Sequence, residues 1–271
     1  MPKAKGHGGN MEGKASSRAK RCLVAAAMTV LLAWPALAQS TSPAPALTNE
    51  QSQAVQQLIH DYILNHPDVV FQSLKNEQQQ MAQQKEASSR EMIAAKQKEL
   101  LADPTSPTGG NPKGDVTIVE FFDYRCPYCK AVEPSLETLL KDDPKVRIVY
   151  KEFPILGPAS IYAAEVALSA QKQGKYMAFH NAMMGTKGTI DDATVRGVAQ
   201  LAGLNMDQVD ADISSPAFGA IFRRNYELAA ALNIGGTPGF VIGTQVADGS
   251  ADIDSLKQMI AAARQSPGQA E

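Results

Sequence analysis

The sequence predicts an α/β domain with a helical insertion, preceded by an N-terminal helical segment. Three observations predict it. The β-branched and aromatic runs Val116–Phe122 and Val146–Phe153 flank a helical stretch over Pro127–Leu140, giving a β-α-β unit. Near-continuous helical patterning then fills 158–233 before a third strand in Thr237–Gly243. Upstream, the apolar positions of 48–102 repeat at helical spacing but are too sparse for a globular core.

The elements follow in chain order. Lys20-Arg21, the apolar run Cys22–Leu32 and the end Ala36-Leu37-Ala38 have the pattern of a secretory signal peptide. The run is too short to span a bilayer as a helix. The expected signal peptide is 1–38, with Gln39 first in the mature chain, and export implies an oxidising compartment. Loss of 1–38 removes six basic residues and one acidic residue, taking the formal charge from −2 to −7. Such a surface argues against nucleic acid or anionic lipid as the main partner. Residues 39–47 read as a flexible spacer.

Thr48 or Asn49 caps a first helix whose Val55, Leu58, Ile59, Tyr62 and Ile63 form one apolar stripe. His66-Pro67 ends it and opens a second helix running to about Leu101. Its apolar residues thin out in a Gln-rich middle, so it cannot bury itself in one globule. Two readings of 48–102 stand: a solvated arm, or an oligomerisation stalk joining protomers. Residues 103–114, rich in proline and glycine, read as a linker or surface loop.

The main domain is expected over 115–265. Its insertion, 158–233, is broken at Gly174, Gly185–Gly188, Gly203-Leu204-Asn205 and Ser214-Ser215-Pro216, and is expected to cap the sheet. Thr244–Ala247 pairs with the third strand as a hairpin, Ile253–Arg264 forms a closing helix, and 266–271 is a tail.

The chemistry is carried by Cys126-Pro127-Tyr128-Cys129, the only cysteines beyond the leader in a chain with three. The first turn of a helix leaves N–H groups unpaired and places partial positive charge near the first sulfur. That favours thiolate at Cys126, the species that attacks disulfides, and Cys129 lies one turn on, ready to resolve the mixed disulfide. Pro127 suits the first helical position because it has no N–H to lose. A zinc site would need four ligands, and the chain has no second such pair. A purely structural disulfide over so short a loop would add little stability.

Three segments together resemble the DsbA branch of the thioredoxin superfamily: Phe121-Phe122-Asp123-Tyr124-Arg125 with the CPYC motif and Lys130, Lys151-Glu152-Phe153-Pro154, and Gly236-Thr237-Pro238-Gly239. With the N-terminal helices included, the chain also resembles the suppressor of copper sensitivity protein C (ScsC) group. The resemblance implies a thioredoxin-like fold over roughly 115–265. It implies Cys126 as exposed nucleophile, Cys129 as buried resolving thiol, and a cis-Pro238 facing them. Thr237 would offer its backbone to substrate. Glu120 matches the family's buried acid, a proton acceptor for Cys129, against the reading of an edge-strand surface carboxylate. Lys151 could pair with Glu120 across neighbouring strands or face solvent. Pro127 and Tyr128 tune the redox strength, and Tyr128 brings no positive charge at neutral pH. His180 reads as a packing or capping residue, and Met177, Met183 and Met184 around it as core filling or a soft substrate-binding surface rather than a copper site.

The expected activity is periplasmic thiol-disulfide exchange, as isomerase or reductase. A DsbA-like oxidase and a Cu(I)-binding protein using the dithiol as soft ligands are the alternatives. The expected partners are exported proteins with thiols or disulfides, a membrane thiol-disulfide reductase or oxidase, and a second copy through 48–101. No metal and no cofactor beyond the Cys126–Cys129 redox pair is expected.

Overall fold

A computed structural model describes residues 47–249 and 251–265. The expected signal peptide, nearly all of the spacer and the tail lie outside the described residues. The chain divides into two units, one ending at Tyr62 and the other beginning at Ile63.

Helix α1, Asn49–Asn65, buries none of its residues. Its start is a capping box: the Thr48 hydroxyl accepts from Gln51 N–H at 3.2 Å, and Gln51 Oε1 accepts from Thr48 N–H at 3.0 Å. Its apolar stripe is open to solvent, with Leu58 69% exposed. Helix α2, Pro67–Ala95, is about 44 Å long at 1.5 Å per residue and buries only Ser89 and Ile93. The expected single helix to Leu101 is interrupted at Lys96, after which α3 covers Gln97–Leu101. Ile93 and Leu100, on either side of this break, both enter the core of the second unit.

That core is built on a five-stranded sheet. Its strands are β1 Thr108–Gly110, β2 Val116–Phe122, β3 Val146–Glu152, β4 Gly239–Ile242 and β5 Gln245–Asp248, in spatial order β1-β3-β2-β4-β5. β2 and β3 run parallel, joined through α4, Pro127–Asp142, and the other neighbours are antiparallel. Gly243 takes φ +61 in the two-residue turn from β4 to β5, a conformation that suits glycine. β1 lies inside the segment read as a linker or loop. Its pairing with β3 and the burial of Ser106 fasten that stretch to the sheet.

Strand period 2 sorts the side chains onto two faces. Ile118, Phe122, Ile148, Tyr150, Phe240 and Ile242 face one core, and Val119, Phe121, Val149, Phe153 and Val241 face the other. The insertion supplies α5 Pro158–Lys172, α6 Tyr176–Gly185, α7 Asp192–Leu201, α8 Met206–Ile213 and α9 Ala217–Ala231, and α10, Ile253–Gln265, closes the domain. The breaks fall at the expected glycines and at Ser214-Ser215-Pro216, and Asp191 and Asn205 cap α7 and α8. The expectation of one cap over the sheet needs correction. Residues of α5, α6, α7 and α8 join the first core, whereas α9 joins the second. α9 can do so because it carries two apolar sets. Phe218 and Phe222 pack with Ala164 and Leu168 of α5, while Leu228, Ala229 and the following Leu232 reach the far face.

Lys151 is corrected as well. Its register neighbour on β2 is Phe121, so it stands on the face opposite Glu120, fully buried. The ammonium donates to Glu99 O at 2.6 Å and Ser106 Oγ at 2.8 Å, and meets Asp103 Oδ2 at 3.4 Å. It neither pairs with Glu120 nor faces solvent.

Candidate functional site

The sheet delivers the dithiol to its upper rim. β2 ends at Phe122, and Asp123 then organises the turn into α4. One carboxylate oxygen accepts from Arg125 N–H at 2.7 Å and Ser160 Oγ–H at 2.8 Å, and the other from Leu156 N–H at 3.0 Å. The Asp123 carbonyl accepts from Cys126 N–H at 3.0 Å. Asp123 thus ties the turn to the loop after β3, and it is itself buried. Sequence reasoning quoted it without assigning it this part. The signal was available, since an Asp whose side chain accepts from the N–H two residues on, here Arg125, is a common turn former.

Cys126 is the N-cap of α4 and Pro127 its first residue. Both cysteines are thiols in this structure. The exposed nucleophile that the resemblance implies is instead nearly covered, at 4%. The cover comes partly from the loop before β4, because the Cys126 Sγ–H donates to Thr237 O at 3.1 Å. The Thr237–Pro238 peptide bond is cis. Cys129 is fully buried. Burial first, and the charge of Glu120 second, push its thiol far above the usual range. Tyr128 points away from the dithiol's core side, 62% exposed.

Beneath the dithiol lies a buried acidic layer. Glu120 has no exposed surface, and neither carboxyl oxygen has a hydrogen-bond partner among the described residues. Its carboxyl is pushed well above the usual range, by burial first and then by Glu133, Glu152 and Cys126. Glu133 Oε1 lies 3.5 Å from His180 Nε2. The other ring nitrogen of His180 is 3.2 Å from Tyr124 Oη. Tyr124 and Tyr176 donate to Glu152 Oε1 at 3.3 and 2.9 Å. His180 is fully buried among Phe122, Tyr150 and Tyr176, so it packs, but it also meets this polar layer. Met183 and Met184 fill the core.

Lys130, next after Cys129, was quoted from the sequence with the motif but given no role. Its ammonium donates to Met183 O at 2.5 Å, Met184 O at 3.1 Å and Thr186 O at 3.1 Å, capping the C-terminal end of α6. The contact locks the CPYC helix to the insertion.

A strand-to-helix dithiol facing a cis-proline loop, over a five-stranded sheet with a helical insertion, is one arrangement with a family to match. Residues 117–261 match the DsbA-like thioredoxin domain. The chain belongs to the DsbA-like thioredoxin family.

Among solved structures, a thioredoxin-like oxidoreductase from Silicibacter pomeroyi is 41% identical, with TM-score 0.61. The match covers 62% of this chain and 98% of that one. ScsC of Proteus mirabilis in a transitional conformation is 27% identical with TM-score 0.59, over 80% of this chain and 97% of that one. The longer second match extends into the N-terminal helices. Among curated proteins, 156 residues are 28% identical to the Na(+)/H(+) antiporter NhaA 1 of Salinispora arenicola, 57% of this chain. The chain spans 24% of that relative's length. Among the described residues no helix is long and apolar enough to cross a membrane. The DsbA-like fold expected from the sequence, and the likeness to ScsC, are thereby established.

Proposed function

We propose that the protein is an exported, periplasmic thiol-disulfide oxidoreductase that works as a disulfide isomerase or reductase on exported proteins. The observation that carries this reading is the Cys126–Cys129 pair held between the cis-Pro238 loop and the buried Glu120.

The exchange uses these residues as follows. Cys126 leaves Thr237 O, loses its proton to solvent, and attacks one sulfur of a substrate disulfide. A Cys126–substrate bond forms, the substrate disulfide breaks, and the freed substrate thiolate takes a proton. The vacated Thr237 carbonyl then accepts from the substrate backbone. For isomerisation, a different substrate thiolate attacks the substrate sulfur of the mixed disulfide, forms the new pairing and releases Cys126 as its thiolate. That attacking thiolate is either one already free or one exposed when the freed thiolate attacks a second substrate disulfide. For reduction, Cys129 attacks Cys126 and expels the substrate. Its proton must leave first, and Glu120 is the nearby base whose raised pKa suits the transfer. A membrane thiol-disulfide reductase then restores the dithiol. Pro127 and Tyr128 set the redox strength.

The helices of 48–101 support the isomerase reading over the oxidase one. Leu58, Phe71 and Leu74 are each more than half exposed, with Phe71 at 74%. Exposed apolar residues of this kind on each helix fit a second copy of the chain. The test is the molar mass of the mature protein and its rate in a scrambled-disulfide refolding assay, with and without residues 39–84. The cut stops there because Ile93, Leu100 and Asp103 belong to the core and to the Lys151 site. An oligomer that refolds substrate and loses that activity on truncation is expected. A monomer that only oxidises thiols, unchanged by truncation, overturns the reading in favour of an oxidase.

A further inference from the structure

A groove of about 490 Å³ opens directly beside the dithiol. Arg125 and Pro127, which flank Cys126 in sequence, both line it, with Lys130, Thr186, Lys187 and Thr189 across from them. Every charged residue of its lining is a cation, in a chain whose net charge is negative.

The three cations differ in how they are held. Lys130 is fixed by its three carbonyl acceptors, so its charge is positioned although its donors are used. Arg125 spends one N–H on Leu156 O, which leaves the rest of the guanidinium fork for a ligand. Lys187 is exposed, with no hydrogen bond or ion pair among the described residues. Of the nearest acids, Asp123 is buried and takes three hydrogen bonds, so it does not face the groove. Glu133 and Glu137 line a neighbouring depression that shares Lys130 and Lys187 with the groove. Glu133 acts on the Lys130 ammonium and Glu137 lies 3.9 Å from Lys141, while Arg125 borders the groove alone. An extended chain advances about 3.5 Å per residue, so a substrate bonded to Cys126 puts only its first few flanking residues within reach.

We infer that this groove selects substrate segments carrying a carboxylate within a few residues of the cysteine under attack. The inference deepens the exchange reading above and rests on it. The class of ligand is an acidic peptide segment of an exported protein, gripped by Arg125 and Lys187 in the field of Lys130.

The test uses the full mature chain in its reduced form and three peptides. Each carries one cysteine in a disulfide with the same aromatic thiol, flanked by aspartates, serines or lysines. Cys126 attacks the peptide sulfur, the peptide–aryl disulfide breaks, and the aromatic thiolate is released and read by its absorbance. Cys129 then displaces the peptide as a thiol and leaves the Cys126–Cys129 disulfide. The acidic peptide is expected to react about fivefold faster than the neutral one, the factor that one exposed charge pair supplies at contact distance in water. The basic peptide is slower still, and high salt erases the ranking. Lys187→Glu, outside the dithiol machinery, lowers the rate for the acidic peptide and raises it for the basic one, while the serine peptide reports that exchange is intact. Equal rates for all three peptides, or a ranking untouched by Lys187→Glu, overturn the groove's role and leave the exchange reading standing. No release from any peptide overturns the exchange reading, and the groove with it.

Discussion

Replacing Glu120 by leucine is expected to stabilise the protein and slow it. Glu120 sits in the middle of β2, opposite Tyr150 on one side and Phe240 on the other, with no exposed surface. Neither carboxyl oxygen has a hydrogen bond among the described residues. A buried polar group left unsatisfied costs about 1–3 kcal/mol, and an apolar replacement of similar size removes that cost. The expected gain at pH 8 is about 2 kcal/mol, a rise in Tm of roughly 4–8 °C for a domain of this size. The gain depends on pH with a defined sign. Glu120 is raised above its usual value of 4.5, so the folded chain keeps a proton that the unfolded chain has released. Wild-type stability therefore falls as pH rises above 4.5, and levels only once the folded carboxyl has ionised. The leucine variant lacks that loss, so the gap between the two proteins widens from pH 4.5 upward. Urea denaturation of both reduced proteins at pH 4.5 and pH 8 reads the gap directly. Removal of the base for Cys129 is expected to cost at least about tenfold in the rate of substrate release from the mixed disulfide. A variant less stable than wild type at pH 8, or a gap that is the same at both pH values, would refute this reasoning.

Other predictions follow from the same layer and its surroundings. In the reduced protein at neutral pH, iodoacetamide should modify Cys126 at least about tenfold faster than Cys129, because only the thiolate reacts and the Cys129 thiol is pushed far up by burial; peptide mapping by mass spectrometry checks it, and equal labelling contradicts it. Tyr128→His places a titratable cation on the exposed second position of the motif and should raise the reduction potential by about 30 mV, near 1.4 kcal/mol, in a glutathione titration. An unchanged potential would show that position 128 does not tune the dithiol. Lys151→Met should cost about 3 kcal/mol in urea denaturation, because it strips the buried partner from Asp103 and Ser106. A neutral effect would mean that residues 93–106 are held to the domain by Ile93 and Leu100 alone.

Much of the fold was legible because local chemistry and global structure agree. β2, α4 and β3 follow from two β-branched runs around a proline-initiated helix, and the insertion helices end at the glycines that punctuate them. β1 was not legible. Thr108-Gly109-Gly110 has one β-branched residue beside two glycines, and its extended form comes from pairing with β3. The course of α9 was hidden because its two apolar sets look like one amphipathic pattern until two separate cores are there to receive them. Lys151 misled for the same reason. Its partners, Asp103 and Ser106, lie 48 and 45 residues away, in a stretch whose composition reads as loop. At the site, the spacing of the cysteines and the position of Glu120 inside an apolar strand were visible in the sequence. The meeting of Glu133 with His180 was not, since it depends on how α4 and α6 pack.

The most direct test of the account is to trap the intermediate. In the Cys129→Ser chain, mixed with a protein carrying scrambled disulfides, the account predicts a stable mixed disulfide joined through Cys126 and seen by mass spectrometry; the Cys126→Ser chain forms none. No adduct at Cys126, or one that forms equally well at Cys129, would contradict it.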